Sequence, residues 1–258
     1  MHPGFGRAIG AIMAAYDFTS TRLFLDHPLT PGGEVPLDKA QANYLVNVLR
    51  LATGDRLLVF NGRDGEFVAG IDGTAKRPLL AIAEQQRPQT PAPGLRWLFA
   101  PLKHARLDYM VQKAVEMGVG TIEPVITRRT QVNRVNLERM RANAIEAAEQ
   151  CGVISVPEVL GERPLHGVLD GWNASKPLVF CDEDAAVTDP AAALARLPAG
   201  PLALLIGPEG GFDESERRTL LALPSVTRLS LGPRILRADT AAVAALTLIQ
   251  AICGDWRR

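Results

Sequence analysis

Apolar and polar positions follow two different rhythms along this chain, and the change comes near residue 90. In the first stretch, short runs alternate or stay apolar for about five residues between turn signals. Thr21-Arg22-Leu23-Phe24-Leu25 has the period-two pattern of a strand. Residues 38–49 break that pattern: Ala42, Leu45, Val46 and Leu49 share one helical face, with Asp38 as the cap. A turn at Thr53-Gly54-Asp55 leads into a strand over 56–60. Asn61-Gly62 is a hairpin signal, and further strands are predicted over 66–71 and 79–84. Short strands separated by such turns read as a small β-barrel over 21–86.

Residues 87–94 hold three prolines, which interrupt both helix and ladder and mark a linker. Beyond them, strand and helix alternate over 95–258. Strands are predicted at 95–100, 121–127, 178–181, 202–206 and 226–231. The helix at 103–118 carries Leu107, Met110, Val111, Ala114 and Val115 on one stripe. Another helix spans 136–150. The last, 238–253, is apolar almost all round (Ala242, Val243, Leu246, Leu248, Ile249, Ile252), so it needs cover on every side. Alternation of this kind predicts an α/β domain with a parallel sheet.

Two strand ends in this second part break in the same way. Leu202 to Ile206 is an unbroken apolar run, as in a strand buried on both faces. It stops at Gly207-Pro208-Glu209-Gly210-Gly211, and Asp213 with Glu216 then forms a capping box for a helix. The later strand stops at Leu231-Gly232-Pro233 and continues as Arg234-Ile235-Leu236-Arg237 into the last helix. Open α/β sheets bind ligands at the carboxyl ends of their strands, and glycine lets backbone groups approach a ligand closely. Neither loop has the lysine of a P-loop or the spacing of a dinucleotide fingerprint. A ligand other than a polyphosphate is expected, and a nucleotide hydrolase is disfavoured.

The chain of 258 residues has 28 basic and 28 acidic side chains, so non-specific nucleic-acid binding through net charge is disfavoured. The stretch 94–150 is locally basic, nine against six, and Arg128, Arg129 and Arg134 cluster in it. Three cysteines and four histidines are too scattered for a disulfide framework or a metal site. No segment is apolar enough to span a membrane without glycine, proline or charge, and a cytoplasmic location is expected. Residues 1–20 read as a disordered or misassigned extension.

Ile206-Gly-Pro-Glu-Gly-Gly211 together with Leu231-Gly-Pro-Arg-Ile-Leu-Arg237 resembles the RsmE family, the ribosomal RNA small subunit methyltransferase E group of the SPOUT superfamily. The resemblance runs from about Thr21 to the C-terminus. It implies S-adenosylmethionine as cofactor and N3 methylation of one uridine in 16S ribosomal RNA within the small subunit. It also implies a homodimer and a trefoil knot in the C-terminal domain, with a PUA-like barrel at the N-terminus. Asn43 to Arg50 resembles that domain's helix motif, although Tyr44 stands where the family often has histidine.

On this reading Leu205, Ile206, Gly207, Pro208, Glu209, Gly210, Gly211, Leu231, Gly232, Ile235 and Leu236 hold the cofactor, mainly through backbone. Cys181 to Glu183 border it. Arg237 stabilises the uracil anion, being a poor base but a good electrostatic partner. A phosphate contact or an ion pair with Asp239 is the alternative for Arg237. Glu209 is a candidate base. Arg22, Arg50, Arg128, Arg129 and Arg134 are expected at RNA. Another SPOUT-type RNA methyltransferase and a non-catalytic RNA-binding protein are the competing readings, and the latter gives no reason for both loops to be intact.

Overall fold

The computed structural model describes residues 20–74, 77–185 and 189–257, so the extension expected over 1–20 lies, Ser20 apart, outside the described residues. The chain divides into two compact units, Met1–Pro91 and Ala92–Arg258.

In the first unit, β1 (Arg22–Phe24) is followed by β2 (Glu34–Pro36), the helical turn α1 (Lys39–Ala42), a π-helix (Asn43–Val48), β3 (Arg56–Phe60), β4 (Glu66–Thr74) and β5 (Arg77–Arg87). The strands form one sheet in the order β1-β3-β4-β5-β2. Its core is Leu23, Leu25, Val35, Leu57, Val59, Phe67, Ile71 and Leu80, closed by Leu45.

Two local features differ from the sequence pattern. Asp38 does cap the helix, through a capping box with Gln41, but the α-helical turn lasts only four residues. The backbone then widens: Leu49 N–H donates to Tyr44 O at 2.9 Å and Leu51 N–H to Leu45 O at 3.0 Å. A wider turn changes which side chains share a face. Leu45 is fully buried, and Tyr44 and Leu49 pack on the core. Val46 falls off the stripe and is 39% exposed. The other difference is at Asn61-Gly62, which opens a longer loop rather than a two-residue hairpin. The Asn61 side chain is buried and accepts from the backbone N–H of Arg63 and Asp64, at 2.9 and 2.8 Å.

The second unit runs β6 (Leu95–Phe99), α2 (His104–Glu116), β7 (Thr121–Ile126), α3 (Leu137–Cys151), β8 (Glu158–Val159), β9 (Arg163–Pro164) and α4 (Leu165–Leu169). It continues through β10 (Leu178–Cys181), α5 (Pro190–Leu194), β11 (Leu202–Ile206), α6 (Glu214–Ala222), β12 (Val226–Leu229) and α7 (Ala238–Ile252). The sheet order is β12-β10-β11-β6-β7-β8, with β9 beside β7, and every one of these pairings is parallel. All five residues of β11 are buried, as its unbroken apolar run requires of a strand covered on both faces. Leu98, Phe180, Ala203 and Leu205 point into a layer with Leu165, Val168, Leu169 and Leu220 of α4 and α6. On the other side α7 packs against α2 and β11.

The order places β10, β11 and β12 side by side, so the loops at their carboxyl ends converge. That convergence positions the site.

Candidate cofactor cavity

A cavity of ≈ 420 Å³ lies at the ends of β10, β11 and β12. Three loops wall it: Cys181 to Ala185 after β10, Ile206 to Phe212 after β11, and Leu229 to Leu236 after β12. Of the residues expected at the cofactor, Ile206, Gly207, Pro208, Glu209, Gly211, Leu231, Gly232, Ile235 and Leu236 line it. Leu205 and Gly210 lie outside the lining. Leu205 is fully buried in the core layer, because alternate strand residues point to opposite faces.

The glycines differ in what they do. A Cβ on Gly207 would collide with the Phe212 ring, which stands edge-on to Phe180 at 5.0 Å. Gly211 has φ +68°, and a Cβ there would run into the Glu183 carboxylate. Gly210 has only ordinary van der Waals neighbours, at 3.7 Å or more. Gly232, at φ +99°, turns the chain after β12. Only Gly207 and Gly211 are therefore close-approach positions of the first loop.

Capping explains why that loop holds its shape. Asp213 accepts from Ser215 N–H at 3.0 Å, and Glu216 accepts from Asp213 N–H at 3.1 Å. Arg128 then docks on the same box: its backbone N–H donates to Glu216 Oε1 at 2.8 Å and its Nη1 to Asp213 Oδ1 at 3.2 Å. Arg129 Nη1 donates to Gly210 O at 2.8 Å. Both arginines thus hold the loop from behind while remaining exposed. Arg134 is exposed as well.

In one wall of the cavity lies a charge hub that the sequence did not reveal. Asp182, whose side chain is 2% exposed, accepts from Arg217 of α6 at 3.1 and 3.2 Å and from Arg228 of β12 at 2.7 Å. Arg228 also donates to Asp184 O at 2.8 Å. One carboxylate therefore fastens together the elements that carry all three loops. Burial pushes its pKa up, but the hydrogen bonds from Arg217 and Arg228 outweigh this and hold it below its ordinary value. Next to it, burial pushes the Cys181 thiol up to about 12, so that group stays protonated and is no nucleophile.

Arg237 is the exposed N-cap residue of α7, between Leu236 and Ala238, which both line the cavity. Its own side chain is outside the lining. The ion pair considered for Asp239 is made by Arg106 instead, at 4.0 Å, and Arg106 also approaches Glu209 at 3.7 Å. Arg106 belongs to no motif, and Arg234, which lines the cavity, lies within the second motif but was given no role there. Among the described residues no group of three or more His, Cys, Asp or Glu side chains could hold a metal ion.

Arg22 corrects an expectation. Its side chain is 3% exposed and donates through Nε to Glu66 at 3.0 Å, and Glu66 also takes Arg87. A guanidinium buried on a carboxylate cannot reach a phosphate; it ties β1 to β4. Arg50 is exposed and takes φ 58°, closing the end of the π-helix in a conformation usually left to glycine.

Residues 90–250 match the RNA methyltransferase domain family, and residues 37–83 match the RNA methyltransferase PUA domain. A ribosomal RNA small subunit methyltransferase E from Rickettsia conorii is 29% identical over 89% of this chain and 94% of its own. One from Synechocystis is 30% identical, over 84% of this chain and 73% of its own. A crystal structure of the Neisseria gonorrhoeae enzyme of that name, bound to S-adenosylmethionine, superposes with a TM-score of 0.79 at 28% identity, covering 92% of this chain and 99% of that one. Two independent units matching in the order of the relatives, on a sheet whose loops build one cavity, place this chain in the ribosomal RNA small subunit methyltransferase E family of RNA methyltransferases.

Proposed function

We propose that the protein transfers a methyl group from S-adenosylmethionine to N3 of one uridine in 16S ribosomal RNA of the small subunit. The observation that carries this reading is the single cavity built by both glycine-proline loops and the acidic turn Asp182-Glu183-Asp184 after β10. Its volume suits a nucleoside-sized ligand, and it pairs apolar walls (Ile206, Leu231, Leu236) with backbone opened at Gly211 and Gly232. The bound cofactor supplies a methyl group made electrophilic by the sulfonium.

The chain's residues have two tasks. They hold the donor through the loops, and they manage charge on the uracil. N3 of uracil loses its proton before or during attack, and the ring carries negative charge. Arg237 stands beside the cavity wall without an ion partner among the described residues, and it answers that charge electrostatically. Glu209 is paired loosely with Arg106, which fits a residue that keeps its loop in place better than a free base. RNA is met at the exposed Arg50 and Arg134, with Arg128 and Arg129 contributing edges not spent on the loop.

The working form we infer is a cytoplasmic homodimer whose second unit is a trefoil knot. For the dimer, the support is α7: Ala242, Ala245, Leu246 and Ile249 are buried, while Val243, Ala244 and Leu248 on its other side are only half-buried. With its short continuation it is apolar enough to cross a membrane by length and composition. Its packing on β11 and α2 marks it as a core helix, and a second copy would cover the remaining face. For the knot, the support is the loop after β12 sharing one wall with the loops of β10 and β11. The test is ribosomal RNA from a strain lacking the gene. It should miss one methyluridine, restored by this chain and not by an Arg237→Ala version; an unchanged nucleoside profile would refute the reading.

A further inference from the structure

The cavity lining carries four carboxylates, Asp182, Glu183, Asp184 and Glu209, against two guanidiniums, Arg217 and Arg234. Three of the four are already answered. Asp182 is held by Arg217 and Arg228, Asp184 lies 3.7 Å from Arg217, and Glu209 lies 3.7 Å from Arg106. Glu183 alone has no ion pair among the described residues. Glu183 is an exposed residue of that lining, and its carboxylate reaches across to the loop after β11. It lies against Gly211, so closely that a Cβ there would strike it. An uncompensated negative charge is thus set in the cavity wall, against the glycine loop after β11.

We propose that Glu183 is a specificity-determining residue that distinguishes the methyl donor from its demethylated product by charge. The inference rests on the cofactor reading given above. Donor and product share adenosine, an ammonium and a carboxylate, so hydrogen bonds to those parts bind both alike. They differ by one methyl and by the positive charge on sulfur, which disappears when the methyl leaves. A lone carboxylate in the wall attracts the donor more than the product, whichever contacts hold the rest. It therefore favours loading before the reaction and release of the product after it, a step that limits turnover in many enzymes. The magnitude expected for one partly screened charge pair is roughly tenfold in the affinity ratio.

The test is calorimetric binding of S-adenosylmethionine, S-adenosylhomocysteine and sinefungin to the full-length wild type, Glu183→Gln and Glu183→Asp. Sinefungin carries an amine in place of the sulfonium and is cationic at neutral pH. Glu183→Gln should weaken both cationic ligands about tenfold and leave S-adenosylhomocysteine little changed. Glu183→Asp, which keeps the charge, should retain most of the preference. Added salt should narrow the preference in the wild type and not in the Gln variant. Thermal melting confirms that the variants are folded. If Glu183→Gln weakens all three ligands alike, or leaves the ratio untouched, the inference is wrong while the cofactor reading stands. If none of the three binds the wild type, the cofactor reading falls as well.

Discussion

Replacing Asp182 by asparagine removes one charge and keeps the shape, which makes it a sharp probe of how the cavity is held. The carboxylate is 2% exposed, and it receives Arg217 and Arg228, whose side chains are 22% and 36% exposed. Breaking a fully buried ion pair costs about 3–5 kcal/mol. Here both arginines retain part of their hydration and asparagine still accepts one hydrogen bond, so about 2 kcal/mol is the reasonable expectation. For a protein of this size that lowers the melting temperature by about 4–8 °C. The loss should also reach function, because Arg217 and Arg228 belong to elements on either side of the acidic turn. Binding of S-adenosylmethionine should weaken by roughly tenfold, the equivalent of 1.4 kcal/mol. The pH dependence has a definite sign. The folded pKa is held below the ordinary value of 3.8, so the wild type's advantage is full above that value and fades as acid protonates the folded carboxylate. Wild type and Asp182→Asn should therefore differ by a constant amount near neutral pH and converge below about pH 4. Denaturant unfolding at several pH values, with calorimetry on the same samples, measures both quantities. A neutral-pH difference under about 0.5 kcal/mol, with unchanged affinity, would show that the hub is ornamental.

Gly211→Ala and Gly210→Ala should behave oppositely: the first forces a left-handed residue and displaces Glu183, costing about 1–2 kcal/mol and most of the cofactor affinity, whereas the second has room for its methyl. Calorimetry on both variants decides this, and equal effects would refute the geometry. Arg237→Ala should lower single-turnover methyl transfer roughly a hundred- to a thousandfold with little change in cofactor or RNA binding; RNA affinity falling in proportion to rate would make it a docking residue. Arg22→Ala should destabilise the first unit by about 1.5–3 kcal/mol, because it removes a buried charged hydrogen bond while Glu66 keeps Arg87. Arg134→Ala should leave stability alone and lower the salt slope of RNA binding by about one.

What the sequence made legible was local. The apolar run of β11, the glycine-proline break and the Asp213–Glu216 box are successive residues whose preferences agree, and the structure builds them as a strand, a turn and a capped helix. What escaped was non-local or depended on backbone widening. Asp182 meets Arg217 and Arg228 across 35 and 46 positions, and nothing in its own neighbourhood names those partners. Arg22 looked like a cation on an alternating strand, but its partner Glu66 stands on β4, 44 positions away, with β3 between them in the sheet. The π-helix kept the apolar residues that predict an α-helix and only changed which of them faced inward. Two adjacent glycines read alike as letters. Their difference, Gly211 left-handed against Glu183 and Gly210 with room to spare, appears only when a loop from another strand is folded against them.

Single-turnover transfer of a labelled methyl group from S-adenosylmethionine to purified 30S subunits from a strain lacking the gene tests the central claim most directly. Digestion to nucleosides then reads which atom received the label. The account predicts label in one residue of 16S ribosomal RNA, recovered as 3-methyluridine and lost when Gly211 is replaced by valine. Label at a ribose oxygen, label on several bases, or transfer that survives the Gly211→Val substitution in a folded protein would contradict it.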